Sequence, residues 1–175
     1  MTNSGKRYTL FGKNDDGSSA TALQHSTGGS EGLVLLMLEH LFSFFDDDKN
    51  HLDSRGVFGI TLSVMELHNE QVHDMLDPSK KTSNMRSASP LRIHQHTESE
   101  TFFVPGLTYT SFDTEKAARN ALFVAMKTAQ VRATPQNETS SRSHVIISIQ
   151  PHLKLGGEAK SIAFGGKVMI FDLAG

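Results

Sequence analysis

The sequence contains no cysteine, which excludes disulfide frameworks and thiolate metal sites and fits a reducing compartment. No apolar run reaches the length of a membrane span, and the opening residues lack a signal-peptide pattern. A cytoplasmic or cytoskeletal location is therefore the expectation. Neither sign of charge is in large excess, since the net value is only −2. The halves differ, however: Met1 to Asp77 carries 5 basic and 12 acidic residues, and Pro78 to Gly175 carries 12 and 7. A positive half can face an acidic partner, but an ordinary solvated surface is the simpler reading, and no nucleic-acid partner is inferred from it. What is present is 175 residues with 37% apolar content, enough for one domain with a real core.

Along the chain, a short start leads into Tyr8-Thr9-Leu10-Phe11, and residues 12–32 are polar, glycine-rich and read as a surface loop. Leu33 to Phe45 is broadly apolar, with Leu33, Met37, Leu41 and Phe44 at helical spacing, which predicts a buried helix. Asp46-Asp47-Asp48 ends it; the acidic residues lack the alternation and terminal glutamate of an EF-hand loop and read as a solvated turn. Phe58, Ile60, Leu62 and Val64 alternate with Gly59, Thr61 and Ser63, the period of a strand, continuing to Leu67. Asn69 to Leu76 reads as a short helix closed by Asp77-Pro78, followed by a second loop within residues 77–90. Leu91 to Ile93 and Thr101 to Val104 read as a strand pair broken by Pro105-Gly106. A helix is expected from Asp113 to Gln130, capped by Asp113 or Thr114, with Ala117, Ala121, Leu122, Ala125 and Met126 inward. After a polar loop, strands are expected from His144 to Leu155 and from Lys167 to Leu173. Strands interleaved with helices argue for an α/β layered domain occupying the whole chain.

Three polar segments carry chemistry. Ser4-Gly5-Lys6 has the form of the second half of a phosphate-binding loop running into a helix, where backbone amides and a lysine hold phosphate oxygens. Alone, that tripeptide is equally an ordinary polar terminus. Asn137-Glu138-Thr139-Ser140-Ser141-Arg142-Ser143-His144 lies between a helix and a strand, and Asp172-Leu173-Ala174-Gly175 follows an apolar strand. A hydrolase pairing of Ser143 with His144 fails because neighbouring strand residues point to opposite faces. The 9 histidines show no metal-ligand spacing.

The order and separation of these segments resemble those of kinesin motor domains: Asn-x-x-Ser-Ser-Arg-Ser-His is similar to their switch I and Asp-Leu-Ala-Gly to the opening of their switch II. Gly32-Leu33-Val34 with Glu39-His40-Leu41-Phe42, Ser63 to Glu70 with Asp74-Met75-Leu76, and Val104-Pro105-Gly106-Leu107 also resemble family segments. The resemblance implies an incomplete P-loop NTPase fold, a mixed central sheet flanked by helices, lacking N- and C-terminal portions. It also implies ATP and Mg2+ as cofactors, microtubules as partner, and ATP hydrolysis coupled to movement in the parent. Oligomeric state is left open.

By that resemblance Ser4, Gly5 and Lys6 grip phosphates, and Tyr8 and Asn137 complete the nucleotide contacts. Ser140 and Ser141 lie by the attacking water and the metal, and Asp172 holds the metal through water. Gly175 gives its amide to the γ-phosphate, and Arg142 pairs with a switch II glutamate. Arg7 departs from the pattern. It stands where the family has a magnesium-binding threonine, and a guanidinium offers five donors and no acceptor. The expectation is that Arg7 touches phosphate directly, with metal binding weakened and nucleotide binding kept, and a non-catalytic kinesin-like nucleotide or tubulin interaction module is the alternative function. Leu35, Leu36 and Gln136 are milder departures. The loop's first glycine with its strand, and the glutamate after switch II, are expected outside the sequence. The strand from Lys167 to Leu173 is then expected to form an apolar edge that favours association.

Overall fold

The computed structural model describes residues 6–13, 30–46, 57–77, 90–131, 143–154 and 162–174. Lys6–Phe11 forms α1 and runs into β1, Gly12–Lys13, which pairs antiparallel with β2, Ser30–Glu31. The base of the expected 12–32 loop is thus a short ladder; residues 14–29 lie outside the described set. Gly32 follows where a Cβ would fall 2.3–2.4 Å from backbone atoms of Leu10, Phe11 and Gly12, so only glycine lets α1 and the next helix meet this closely.

That helix, α2, spans Leu33–Asp46. Its buried face is Val34, Leu35, Leu38 and Phe42, whereas Leu33 and Leu36 are exposed. The expected inner face built on Leu33 is therefore corrected by rotation about the axis, with Met37 and Leu41 at its border. The segment is apolar nearly all round, so periodicity alone left the facing open; the charged Glu39 with His40 faces solvent instead. The side chains of Phe44 and Phe58 lie outside the described residues.

β3, Val57–His68, is the long central strand, with Ile60, Leu62 and Val64 fully buried toward the helices. The helix expected from Asn69 to Leu76 does not form. Asn69 and Glu70 take φ of 50° and 61°, and Gln71–Asp74 returns as β4, antiparallel to β3 with His68 opposite Gln71. Two successive positive-φ residues make the two-residue turn whose twist suits a hairpin, and asparagine tolerates that conformation. Val72 and Met75 are still buried, but as residues of a strand and its exit. Asp74 closes the hairpin: its carboxylate oxygens accept from Leu76 N at 2.9 Å and Thr108 N at 2.7 Å.

The strand pair expected at 91–93 and 101–104 is shifted: His94–Gln95 (β5) pairs with Phe102–Phe103 (β6), and Leu91 makes only an isolated bridge to Val72. β7, Thr110–Phe112, adds to β3. Glu115–Val131 forms α3, capped by Thr114, whose Oγ1 accepts from Ala117 N at 3.4 Å. Its inner face holds Ala118, Leu122, Ala125 and Met126. β8, His144–Lys154, lies between β3 and β10, Val168–Asp172, with β9, Ile162–Phe164, on its far end.

The main sheet runs β10-β8-β3-β4. Every ladder among the described residues is antiparallel, so the parallel pairing that a mixed sheet requires is not among them. Phe11 of α1 and the inner faces of α2 and α3 pack with Ile60, Leu62, Val64, Val145, Ile147 and Ile149 in one cluster. Each fully buried Leu or Ile there contributes roughly 1.5–3 kcal/mol. Register puts Met169 beside Ser148 and Phe171 beside Ile146, on the face away from that cluster, and Met169, Phe171 and Leu173 are about half exposed. Among the described residues β10 is an edge, although its apolar side chains have the pattern of a central strand.

Candidate functional site

The described parts of the three polar segments, Lys6, Ser143-His144 and Asp172–Ala174, meet at one end of the sheet. β10 ends on Asp172, whose register partner is Val145, so its carboxylate falls on the helix-bearing side, where the residue is 7% exposed. β8 begins one residue earlier, at His144, and Ser143 just before it is buried. Ser143 and His144 therefore lie alongside the end of β10 and the residues that follow Asp172. α1 supplies the third segment: the Lys6 ammonium donates to the Leu173 carbonyl at 2.9 Å. Opposite it, the Ala174 amide donates to His144 Nδ1 at 3.0 Å.

Of the residues singled out from sequence, Lys6 and Asp172 are thereby brought within one residue's reach of each other. Tyr8 lies on α1 with its side chain half exposed. Ser4, Gly5, Asn137, Ser140, Ser141, Arg142 and Gly175 lie outside the described residues, as does the Arg7 side chain, although the Arg7 backbone is part of α1. Among the described residues no three or more His, Asp or Glu side chains gather as a metal site. No described helix is long and apolar enough to cross a membrane.

Two features were not legible in the motifs. The first is His144, which reads as the last letter of a loop signature and proves to hold the Ala174 amide. The second is Arg119, 6% exposed on α3. It donates from Nη1 and Nη2 to Glu31 at 2.9 and 3.3 Å and from Nε to Glu115 one turn back. Burial pushes this guanidinium's pKa down, but the hydrogen bonds and charges of Glu31 and Glu115 outweigh it and leave it raised. The pair ties α3 to β2, and so to the strand pair that follows α1. A charge beside Ala118, a residue of the inner face, was the available sequence signal.

Against known proteins, residues 1–175 match the family model of the kinesin motor domain. The chain belongs to the kinesin motor-domain family. It is 27% identical over 175 residues to the kinesin-like protein KIF15 of Strongylocentrotus purpuratus, covering 100% of this chain and 11% of that protein. It is 30% identical over 182 residues to human kinesin-like protein KIF13B, covering 100% of this chain and 8% of that one. Among solved structures, a fast kinesin superposes with a TM-score of 0.71 at 23% identity, across 100% of this chain and 42% of that chain. This kinesin chain is thus a partial motor domain, spanning a small share of its curated relatives and less than half of the solved one. The helices and central sheet described above are the kinesin fold over that span.

Proposed function

We propose that this kinesin chain contributes the nucleotide-binding core of an ATP-dependent microtubule motor, with hydrolysis and movement belonging to the whole protein. The observation that carries the reading is the meeting of Lys6, Ser143-His144 and Asp172–Ala174 at one sheet end. An ammonium and a buried carboxylate at the end of an edge strand are a fitting pair for a nucleotide and its metal. Ser4, Gly5 and Lys6 would hold phosphates, with Tyr8 and Asn137 contacting the nucleotide. Ser141 and Asp172 would face Mg2+, and Ser140 and Ser141 would orient the attacking water. Gly175 would offer its amide to the γ-phosphate, and Arg142 would pair with a carboxylate of switch II. Bound magnesium supplies neutralisation of the charge on the transferred phosphoryl group. The protein's part is positioning and exclusion of water.

Arg7 fits the metal poorly, because its side chain supplies no oxygen. This favours, as a second reading, a non-catalytic module that binds nucleotide or tubulin without turnover. For the partner, the segment from Leu91 to Thr110 offers a surface of mixed charge: Ile93, Phe102, Phe103 and Tyr109 are exposed, as are Arg92, His94 and His96 and the opposing Glu98 and Glu100. Titration with a fluorescent ATP analogue, with and without magnesium, tests the reading. Lys6→Ala is expected to weaken binding at least about tenfold, and Arg7→Thr to strengthen it only when magnesium is present. Binding indifferent to Lys6→Ala would refute the site.

A further inference from the structure

The two hydrogen bonds at the site end on one peptide unit. Leu173 C=O and Ala174 N–H are the two poles of a single rigid plane. Lys6 Nζ donates to its oxygen at 2.9 Å and His144 Nδ1 accepts from its nitrogen at 3.0 Å. The clamp arms come from different elements, the first residue of α1 and the first residue of β8. An amide can only donate, so Nδ1 carries the lone pair and the ring proton of neutral His144 sits on Nε2. Rotating the plane breaks both bonds at once.

We infer that His144 is a positioning residue: with Lys6 it fixes the Leu173–Ala174 peptide, the unit that leads into Gly175. This rests on the nucleotide reading above, in which the Gly175 amide meets the γ-phosphate. Lys6 serves both ends, because an ammonium has three donors and can keep the Leu173 carbonyl while reaching a phosphate. The imidazole has one acceptor, and the Ala174 amide occupies it. Loss of that acceptor leaves the peptide held at its oxygen alone.

The test separates an acceptor from mere ring packing. In His144→Asn the amide oxygen takes the place of Nδ1; in His144→Phe the ring stays and the acceptor goes; in His144→Gln the acceptor moves one bond outward, toward the place of Nε2. Two measurements are made on the full chain with the fold of each variant checked by circular dichroism. The first is hydrogen exchange of the Ala174 amide without nucleotide. It is expected to stay slow in His144→Asn and to quicken about tenfold or more in His144→Phe and His144→Gln. The second is the affinity ratio of a non-hydrolysable fluorescent ATP analogue to fluorescent ADP. It is expected to hold within about threefold in Asn and to fall about tenfold in Phe and Gln. If Phe does not fold, Gln decides. Exchange and ratio unchanged in Phe or Gln, or lost equally in Asn, would overturn the inference. An unaltered chain that binds neither analogue overturns the phosphate-sensing role together with the nucleotide reading, while the exchange data decide the clamp on their own.

Discussion

Removing the Arg119 guanidinium as Arg119→Met should be among the most destabilising single changes available on α3. The methionine keeps most of the side chain's apolar length, so the loss reports the charge and its hydrogen bonds rather than a cavity. Breaking a fully buried ion pair costs about 3–5 kcal/mol, mostly because the partner charge is stranded. Here the stranded carboxylates can partly rehydrate, since the side chains of Glu31 and Glu115 keep 29% and 33% exposure. The expected loss is therefore lower, about 2–3 kcal/mol. With a urea slope of about 2 kcal/mol/M, the unfolding midpoint should drop by roughly 1–1.5 M. Adding Glu31→Leu to Arg119→Met should return a good part of that loss, because it removes the carboxylate left without its cation. The pH sign is also fixed. The guanidinium's pKa is raised in the folded state. Its stabilisation is thus complete below the unfolded value and lost only as pH climbs through the folded one, deep in the alkaline range. The Arg119→Met deficit should be flat from about pH 6 to 9. A deficit under about 0.5 kcal/mol, or no coupling between Arg119 and Glu31 in the double-mutant cycle, would refute the assignment of this pair as the link between α3 and β2.

Gly32→Ala should destabilise by at least about 1–3 kcal/mol, because its methyl would meet backbone that cannot turn aside. Calorimetry should read this as a fall in Tm of roughly 2–4 °C per kcal/mol, and an unchanged Tm would mean that α1 and the start of α2 are not packed this closely. The chain should self-associate through β10, and Met169→Lys with Phe171→Lys should shift it toward monomer in sedimentation velocity without a large change in far-UV dichroism. A wild-type chain that sediments as a monomer at tens of micromolar would contradict that.

The approach of Lys6 to the residues after Asp172 was legible because both lie in polar signatures in fixed order. A serine-rich loop before a strand and Asp-Leu-Ala-Gly after one have few uses, and the strands that bear them had clear apolar patterns. The errors share a cause. α2 is apolar on too many sides for spacing to choose a face, so contact with α1, α3 and β3 chose it. Residues 69–76 have apolar side chains at intervals that fit a helical turn. The positive φ of the first two, Asn69 and Glu70, instead sends the chain back along β3, where ladder bonds satisfy its backbone. Neither Arg119 nor His144 stands out in a string, because their meaning lies in partners 88 and 30 residues distant.

By itself the sequence determined most of the strands and helices and the residue types available for phosphate chemistry, since these depend on local pattern and side-chain chemistry. Tertiary structure alone decided which face of α2 is buried and which segments pair. It also decided that one peptide after Asp172 is gripped from both ends. Such choices arise when elements far apart in sequence compete to cover the same surface and satisfy the same donors, and no local window contains both competitors.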